Sequence, residues 1–178
     1  MKKIISVTEG DGVGKEVVPE GIKILKVIEE YTELEFEFQE APAGGAIWKK
    51  YGESLPEKSF ETIKNSDALL FGAIGLSGLP QGVAEIAILK IRQGLDLYVN
   101  LRPIKLYDAL KDRCPLKDEY IGNGIDIYVV RENTEGLYAN IGGILRNTVA
   151  QNVMICTREG GERLVKFAFE FAKRKGHK

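Results

Sequence analysis

The alternation of strand-like and helix-like hydrophobic patterns is the feature of this sequence that most constrains its fold. A short β-rich run covers residues 4–7, and after a glycine-rich segment the apolar residues recur at helical spacing as far as Ile28. Ala68–Phe71 is a continuous apolar run, which is typical of a buried strand. Residues 84–93 then return to a helical pattern. Strands that alternate with helices predict an α/β fold with a largely parallel sheet.

The last helix is the clearest element in the sequence. Its apolar stripe includes Leu164, Phe167 and Phe171, and three basic residues followed by Gly176 stand where a helix C-terminus favours them. Apolar and alternating segments near residues 36, 99 and 127 predict further strands. Between them, Asp108–Gly124 is rich in turn-forming residues, and we interpret it as a connection between two lobes.

Composition and charge exclude several classes of protein. The 178 residues include 25 Lys+Arg and 26 Asp+Glu, for a net charge of −1, and 44% are hydrophobic, so the chain is not a strongly basic nucleic-acid binder. No apolar run reaches the ~18 residues of a membrane span. Cys114 and Cys156 form no CxxC pair, and we interpret them as free thiols in the cytoplasm. His177 is the single histidine, which argues against chemistry that needs a histidine base.

A glycine-rich turn, Gly10–Gly14, separates the first predicted strand from the first helix. It invites a dinucleotide-binding interpretation, but Lys15 occupies the place of the last glycine in a GxGxxG pattern. A tight turn from strand to helix needs glycine whatever it binds. At this point the structural and the cofactor-binding interpretations stay equally open.

Three arginines are the candidate ligands for an acidic substrate. Arg92 lies on a predicted helix, whereas Arg102 and Arg131 stand at the ends of predicted strands. Ligands of α/β sheets bind at strand ends, and guanidinium groups grip carboxylates with two parallel hydrogen bonds. Three such groups in one place would bind a compact di- or tricarboxylate, although each arginine taken alone could be a solvated surface charge.

Four longer motifs resemble one enzyme family. They are Gly10–Val17, Gly72–Gly75, Leu95–Pro103 and Val129–Tyr138. In this order they resemble the isocitrate/isopropylmalate dehydrogenases, the β-decarboxylating dehydrogenases of malate-type acids. The resemblance covers essentially the whole chain. It implies an isopropylmalate dehydrogenase-like α/β fold, in which residues 1–100 form the N-terminal part of the large domain and residues 101–178 form part of the small, dimerisation domain.

The resemblance also implies a reaction and roles in it. NAD takes a hydride from C2 of a 2-hydroxy acid, CO₂ then leaves, and the resulting enolate is reprotonated, with Mg²⁺ or Mn²⁺ at the substrate. Arg92, Arg102 and Arg131 match the carboxylate clamp of the family, and Tyr138 matches its proton donor. A fixed guanidinium orients a substrate, and a phenol beside cations is a reasonable acid.

Substrate and cofactor positions follow from the same resemblance. Ala73, Ile74, Gly75 and Glu85 match cofactor-binding positions, and Ile88 and Leu89 match residues that line the substituent of the substrate.

The apolar residues among these positions indicate the type of substrate. Isocitrate-specific members carry serine and asparagine at the positions of Ile86 and Ile88. An apolar wall favours an alkyl group over a carboxylate, because a buried charge without a partner is unfavourable. The residues of the Arg131–Tyr138 motif are instead more similar to those of the family members that act on isocitrate, homoisocitrate or tartrate.

Part of the family's machinery has no match in these 178 residues. The catalytic lysine and the metal-binding aspartates are missing, and Ile141–Gln151 is short for the dimerisation arm of the family. We therefore expect a chain that is inactive alone and needs its C-terminal half or a family-like dimer partner. The alternative from a different class is a non-catalytic module that binds carboxylates or a partner.

Overall fold

The structure, a computed structural model, describes residues 1–80 and 82–176, so that His177 lies outside the described residues. Its contacts divide the chain into unit 1, Met1–Leu95, and unit 2, Asp96–Lys178. This division lies a few residues before strand β4 (Val99–Lys105). Within the described part of the chain, no helix combines the length and apolar character needed to cross a membrane.

Unit 1 is built on a three-stranded parallel sheet. Its strands are β1 (Lys2–Thr8), β2 (Glu35–Glu40) and β3 (Ala68–Phe71). The strand order is β2-β1-β3, and Ile5 of the central strand is opposite Phe38 on one side and Ala68 on the other. Because the chain passes from one side of β1 to the other between β2 and β3, the strand order reverses at the β1/β3 boundary. The carboxyl ends of strands at such a reversal form the crevice where open α/β sheets bind ligands.

Among the described residues, unit 1 also contains four helices. They are α1 (Gly14–Tyr31), α2 (Gly45–Tyr51), α3 (Glu57–Lys64) and α4 (Val83–Gly94). Val18 of α1 packs with Ile5 and Val7 in one apolar cluster. A second cluster joins residues of α3, α4 and the loops after β2: Ala41, Ala43, Leu55, Ile63, Ala87 and Ile91. Helix α4 buries one narrow ridge, since Val83, Ala87 and Ile91 recur every four residues.

Unit 2 is organised differently. It contains β4 (Val99–Lys105), a 3₁₀ turn (Asp108–Arg113), α5 (Asp118–Ile121), β5 (Asp126–Glu132), β6 (Gly136–Leu145), β7 (Val149–Ile155) and α6 (Arg158–Lys175). Both strand pairs, β4–β5 and β6–β7, are antiparallel. Among the described residues, the expected parallel sheet is therefore found in unit 1 alone. Helix α6 packs on β5, where Phe171 meets the ring of Tyr128 edge-on at 5.0 Å.

The β6–β7 hairpin is the element that the sequence patterns did not predict. Leu145 pairs with Val149 across a tight turn in which Arg146 and Asn147 adopt φ values of 53° and 54°. Such left-handed conformations match the twist of a hairpin, but they are usually signalled by Asn-Gly or Asp-Gly. The Arg-Asn pair at this turn lacks that signal, which is why the strands on either side escaped prediction.

Candidate active site

The pairing of β4 with β5 brings Arg102 and Arg131 onto one face. Asn100 is opposite Arg131 and Arg102 is opposite Val129. Directly opposite residues share a face of an antiparallel pair, and so do residues two apart on one strand. The expectation that Arg102 stands at a strand end is wrong, because β4 continues to Lys105. Cross-strand pairing, and not the common carboxyl edge of a parallel sheet, joins these two arginines.

A chain of side-chain amides orients Arg102. Its Nε donates to Oδ1 of Asn100 at 3.1 Å, and Nδ2 of Asn100 donates to Oδ1 of Asn133 at 3.3 Å. Nδ2 of Asn133 in turn donates to the carbonyl of Leu97 at 3.0 Å. Asn133 is only 5% exposed, so this relay is anchored in the interior. Neither asparagine was predicted as a site residue, although both stand inside the motifs that carried the family resemblance.

Arg131 and Tyr138 are in direct contact. Nη2 of Arg131 donates to the hydroxyl oxygen of Tyr138, and the guanidinium carbon lies 4.8 Å from the centre of the ring. The two residues also line a pocket of about 480 Å³ together with Cys156, Thr157 and Leu164. A volume of this size is in the range of small-molecule sites. The pocket thus combines a fixed cation, a phenol and apolar wall.

A tight turn between β5 and β6 makes that contact possible. The Glu132 carboxylate accepts the backbone N–H of Thr134 at 2.9 Å and that of Glu135 at 2.5 Å. The Thr134 hydroxyl donates to the same carboxylate at 2.8 Å. Burial alone would raise the pKa of Glu132, but these hydrogen bonds outweigh it, and the pKa lies below its ordinary value. The carboxylate is therefore ionised at neutral pH, and it holds the turn that folds Tyr138 back towards Arg131.

Helix α6 is clamped to the same turn by Arg163. Its Nη1 donates to both carboxylate oxygens of Asp96, at 3.0 and 2.8 Å, and its Nη2 donates to the Thr134 hydroxyl at 2.9 Å. The guanidinium carbon also lies 4.5 Å from the ring centre of Tyr98. Arg163 was not among the predicted site residues.

Helix α4 carries the remaining predicted substrate residues, Ile88, Leu89 and Arg92, and the predicted cofactor residue Glu85. Glu85, Ile88, Leu89 and Arg92 follow the i, i+3, i+4, i+7 spacing of one helix face, on the side away from the buried ridge. Arg92 belongs to unit 1, whereas Arg102 and Arg131 belong to unit 2.

Ile86 differs from these residues in where it points. It projects about 160° from Ile88 around the helix axis. It lines a separate pocket with Trp48 and Lys90.

The loop after β3 contains the predicted cofactor residues Ala73, Ile74 and Gly75. The carbonyl of Ala73 accepts the N–H of Asp11 at 2.7 Å, so the loop lies against the turn after β1, at the β1/β3 reversal. Ile74 packs on the second apolar cluster. A Cβ built on Gly75 would meet no atom within 4 Å. Ala73 and Gly75 are exposed at this edge of the sheet, where open α/β sheets bind ligands.

Close packing of the same loop accounts for the glycine-rich turn. A Cβ on Gly10 would lie 2.1 Å from the carbonyl oxygen of Ala73, which is far inside van der Waals contact. Glycine is therefore required at this position for the two loops to meet, and of the two interpretations left open by the sequence this geometry supports the structural one.

No residue set suited to a metal is present in the described part of the chain. A search of these residues finds no group of three or more His, Cys, Asp or Glu side chains that could hold an ion. Both cysteines are free thiols. The ionisable groups that face the larger pocket are Arg131, Tyr138, Cys156 and two glutamates already engaged by backbone N–H groups. These residues do not fit Mg²⁺ or Mn²⁺ by themselves.

Fold and side chains together define an α/β protein with a cationic, tyrosine-bearing pocket. The isocitrate/isopropylmalate dehydrogenase family model matches residues 4–178, and the chain belongs to this family. A 3-isopropylmalate/3-methylmalate dehydrogenase from Methanocaldococcus jannaschii is 42% identical over 95% of this chain. A 3-isopropylmalate dehydrogenase from Aquifex aeolicus is 40% identical over 100% of it. These matches cover 45% and 51% of the two relatives, so the chain spans about half their length.

Solved structures of the family agree with the fold. The isocitrate dehydrogenase from Methylococcus capsulatus superposes with a TM-score of 0.80 and 28% identity, covering 99% of this chain and 49% of that one. A β-decarboxylating dehydrogenase from Thermococcus kodakarensis gives a TM-score of 0.67 at 36% identity, with 98% and 47% covered. The architecture is therefore the isopropylmalate dehydrogenase-like α/β fold that the motifs indicated, in the part represented by these residues.

Proposed function

We propose that this chain supplies the substrate-orienting part of an NAD-dependent and metal-dependent oxidative decarboxylase that acts on a malate-type 2-hydroxy acid resembling 3-isopropylmalate. The observation that carries the proposal is the contact between Arg131 and Tyr138, with Arg102 on the same strand-pair face. This arrangement offers carboxylate binding and proton donation side by side. Family membership and the names of the relatives support the reaction class.

Each residue then has a stated task. Arg102 and Arg131, with Arg92 of α4, bind the substrate carboxylates and fix the orientation of C2. A bound NAD would supply the hydride acceptor for that carbon. Tyr138 gives its hydroxyl proton to the carbon from which CO₂ has left, because the adjacent Arg131 stabilises the phenolate that forms. Ala73, Ile74, Gly75 and Glu85 border the nicotinamide.

The base and the metal ligands are assigned to residues outside these 178 positions. The described residues contain no cluster that fits a divalent ion, and no lysine lines the larger pocket. We infer that a C-terminal half, in the same or another polypeptide, or a family-like dimer partner provides them. Unit 1 then corresponds to part of the large domain and unit 2 to part of the dimerisation domain, in the cytoplasm, where the free thiols stay reduced.

The substrate assignment rests on the half-buried face of α4 that lies away from the ridge of Val83, Ala87 and Ile91. Ile88 and Leu89 stand beside Arg92 on that face, and an alkyl substituent can pack on them, whereas a second carboxylate would lose its water there without gaining a partner. The second candidate is an enzyme that acts on isocitrate, homoisocitrate or tartrate, because the residues of the Arg131–Tyr138 motif are more similar to those of such members. A non-catalytic module that binds carboxylates or a partner is the third.

Substrate preference of the reconstituted enzyme tests the first two candidates. With a C-terminal half restored, we expect kcat/KM for isopropylmalate to exceed that for isocitrate by at least about a hundredfold. Ile88→Asn should narrow this ratio. Lys90→Asn is the control, since Lys90 is exposed and projects from the other side of α4 than Arg92, and it should leave the ratio unchanged. An unsubstituted enzyme that prefers isocitrate would instead establish the second candidate.

Binding by the 178-residue chain tests the module alternative. Without the base and the metal ligands, the chain should produce no NADH from 2-hydroxy acids, while calorimetry should still detect dicarboxylates if the clamp forms. Arg102→Ala or Arg131→Ala should then weaken binding by about 1.5–3 kcal/mol. Arg158→Ala removes an arginine whose side chain is 90% exposed and should change nothing. NADH formation by the isolated chain would show that its own residues supply a base.

A further inference from the structure

Asp11 is a buried carboxylate that joins the loops at three strand ends. It follows β1 and is only 2% exposed. Its Oδ2 accepts the N–H of Gly45 at 2.6 Å and that of Gly75 at 3.1 Å, while Oδ1 accepts the N–H of Ala46 at 2.9 Å. Gly45 and Ala46 follow β2, and Gly75 follows β3. One side chain therefore satisfies backbone donors from both neighbouring loops.

The Asp11 side chain makes no capping hydrogen bond to α1, the helix that follows it. Asp11 lies two residues before Val13, the N-cap of α1, and α1 has no side-chain cap. The carboxylate instead caps the first two N–H groups of α2 and reaches across to Gly75, 64 residues away in sequence. A local capping role therefore does not explain this residue, whereas fixing the loops relative to one another does.

The packing around α2 points to the same loop. A Cβ on Gly45 would lie 2.3 Å from Cδ1 of Leu79, 2.9 Å from Cβ of Leu76 and 3.2 Å from Oδ2 of Asp11. The loop after β3 thus presses on the start of α2 at the point where the carboxylate binds both. Any side chain at position 45 would push this loop away from Asp11.

The electrostatic state of Asp11 suits an anchor. Burial by itself would raise the pKa of the carboxyl, but the N–H groups of Gly45, Ala46 and Gly75, together with the charge of Lys15, lower it below its ordinary value. At neutral pH the group is an ionised acceptor, and hydrogen bonds to an ionised acceptor are roughly twice as strong as neutral ones.

We propose that Asp11 is a positioning residue for the cofactor site: its carboxylate holds the 72–79 loop in the conformation that presents Ala73, Ile74 and Gly75 to nicotinamide. The inference rests on the proposed function, because the cofactor role of the loop does. Its structural part concerns only this chain and can be tested without any cofactor. The prediction is graded, since asparagine retains one acceptor oxygen without the charge and alanine retains none.

Amide hydrogen exchange in the 178-residue chain provides the first test. We expect the Gly75 N–H to exchange at least about tenfold faster in Asp11→Ala than in the unsubstituted chain, with Asp11→Asn between them. Thr8→Val is the matched control. Thr8 is equally buried at the same strand end, but its hydroxyl donates to Ala41 and not to the 72–79 loop. Equal acceleration at Gly75 in Asp11→Ala and Thr8→Val would overturn the proposal.

A second measurement uses the unsubstituted chain, so its outcome does not depend on whether the Asp11 variants fold. A through-hydrogen-bond scalar coupling between the Gly75 amide nitrogen and the Asp11 carboxyl carbon should be detected in the labelled, unsubstituted chain. Its absence, with couplings present across β1–β3, would overturn the anchor.

Cofactor titration of the reconstituted protein separates the two proposals. We expect the Kd for NAD to rise at least about tenfold in Asp11→Ala, and to remain within about twofold in Thr8→Val even where the variant lowers Tm. An unchanged Kd in Asp11→Ala would overturn the positioning role. If the unsubstituted, reconstituted protein does not bind NAD, the proposed function fails, and with it the cofactor part of this inference. The exchange and coupling results then still decide whether Asp11 anchors the loop.

Discussion

Unit 1 and unit 2 are stabilised by different kinds of contact. Among the described residues, nearly all of the fully buried apolar side chains belong to unit 1, and Ile121 is the one that belongs to unit 2. Unit 2 instead relies on charged and polar contacts that converge on the turn after β5, from Glu132, Glu135 and Arg163. Burial of apolar area depends little on pH and is not screened by ions, whereas hydrogen-bonded charges depend on pH and are screened by salt. The part that carries the Arg131–Tyr138 pair is therefore also the part whose stability depends more on solution conditions.

The units also differ in backbone strain, and unit 2 is the more strained of the two. In unit 1 every described residue with positive φ is a glycine, whereas in unit 2 Asp96, Arg146 and Asn147 also adopt positive φ. A side chain in this region strains the backbone by roughly 1 kcal/mol. Unit 2 thus combines a smaller buried core with a less relaxed backbone.

The largest expected effect comes from matched isoleucine truncations. Ile63→Ala removes a side chain that is 3% exposed, and should lower the free energy of unfolding of unit 1 by about 2–5 kcal/mol. Ile127→Ala removes one that is 52% exposed in unit 2, and should change stability by less than about 0.5 kcal/mol. Fluorescence of the single tryptophan, Trp48, reports urea unfolding of unit 1, and amide exchange reports unit 2. If both variants lost the same free energy of unfolding, the proposed difference in buried core between unit 1 and unit 2 would be contradicted.

Removal of the Arg163 clamp should destabilise unit 2 alone. Arg163→Met loses three hydrogen bonds and the contact with Tyr98. The expected loss is about 1–2 kcal/mol, which is moderate because the Asp96 side chain is 66% exposed and solvent screens the pair. Arg158→Met, in an exposed ion pair with Glu162 on the same helix, is the control. Amide exchange in β4–β6 should rise in the first variant only, and the Trp48 transition should stay unchanged in both.

Acid should weaken both units through one carboxylate in each. The pKa values of Asp11 and Glu132 are both lowered because backbone hydrogen bonds outweigh the effect of burial. Each contributes stability that is fully present above its unfolded pKa, near pH 4, and is lost as pH falls through its folded value. The slope should reach at most about 1.4 kcal/mol per pH unit for each group. Asp11→Asn should flatten the acid limb of unit 1, and Glu132→Gln that of unit 2; crossed effects would show that the units do not respond separately.

The smallest expected effect is a gain in the β6–β7 hairpin. Arg146→Gly relieves a side chain at a φ of 53° and should stabilise the hairpin by about 0.5–1 kcal/mol. Thr148→Gly, in the same turn but without positive φ, should destabilise it slightly. Amide exchange across the Leu145 and Val149 pair measures both changes. A destabilised Arg146→Gly would mean that the turn carries no backbone strain.

The sequence predicted unit 1 more completely than unit 2, for a physical reason. Buried parallel strands and amphipathic helices impose periodic patterns on unit 1, and Ala68–Phe71 was expected and found as a strand. The hairpin of unit 2 has largely exposed strands and an unusual turn, so its sequence shows no clear period. Long-range polar contacts leave no local signal at all. Arg163 and Asp96 are 67 residues apart in sequence, and no motif next to either residue predicts that they form an ion pair.

The candidate site shows the same limit. Family motifs named Arg131 and Tyr138, but only the fold reveals that the two side chains touch. Spacing along α4 would have separated Ile86 from Ile88, because residues two apart on a helix point in nearly opposite directions.

The strand order β2-β1-β3 also affects how the protein is made. Ile5 in the central strand pairs with Ala68, which is synthesised 63 residues later. At a synthesis rate of roughly 5–20 residues per second, about 3–13 s pass between the synthesis of β1 and that of β3, its partner strand. The β6–β7 hairpin, by contrast, joins Leu145 to Val149 and can close within about 10 μs of its synthesis. The better-packed unit therefore acquires its sheet slowly, with an apolar strand that remains open to chaperones or to other nascent chains in the meantime.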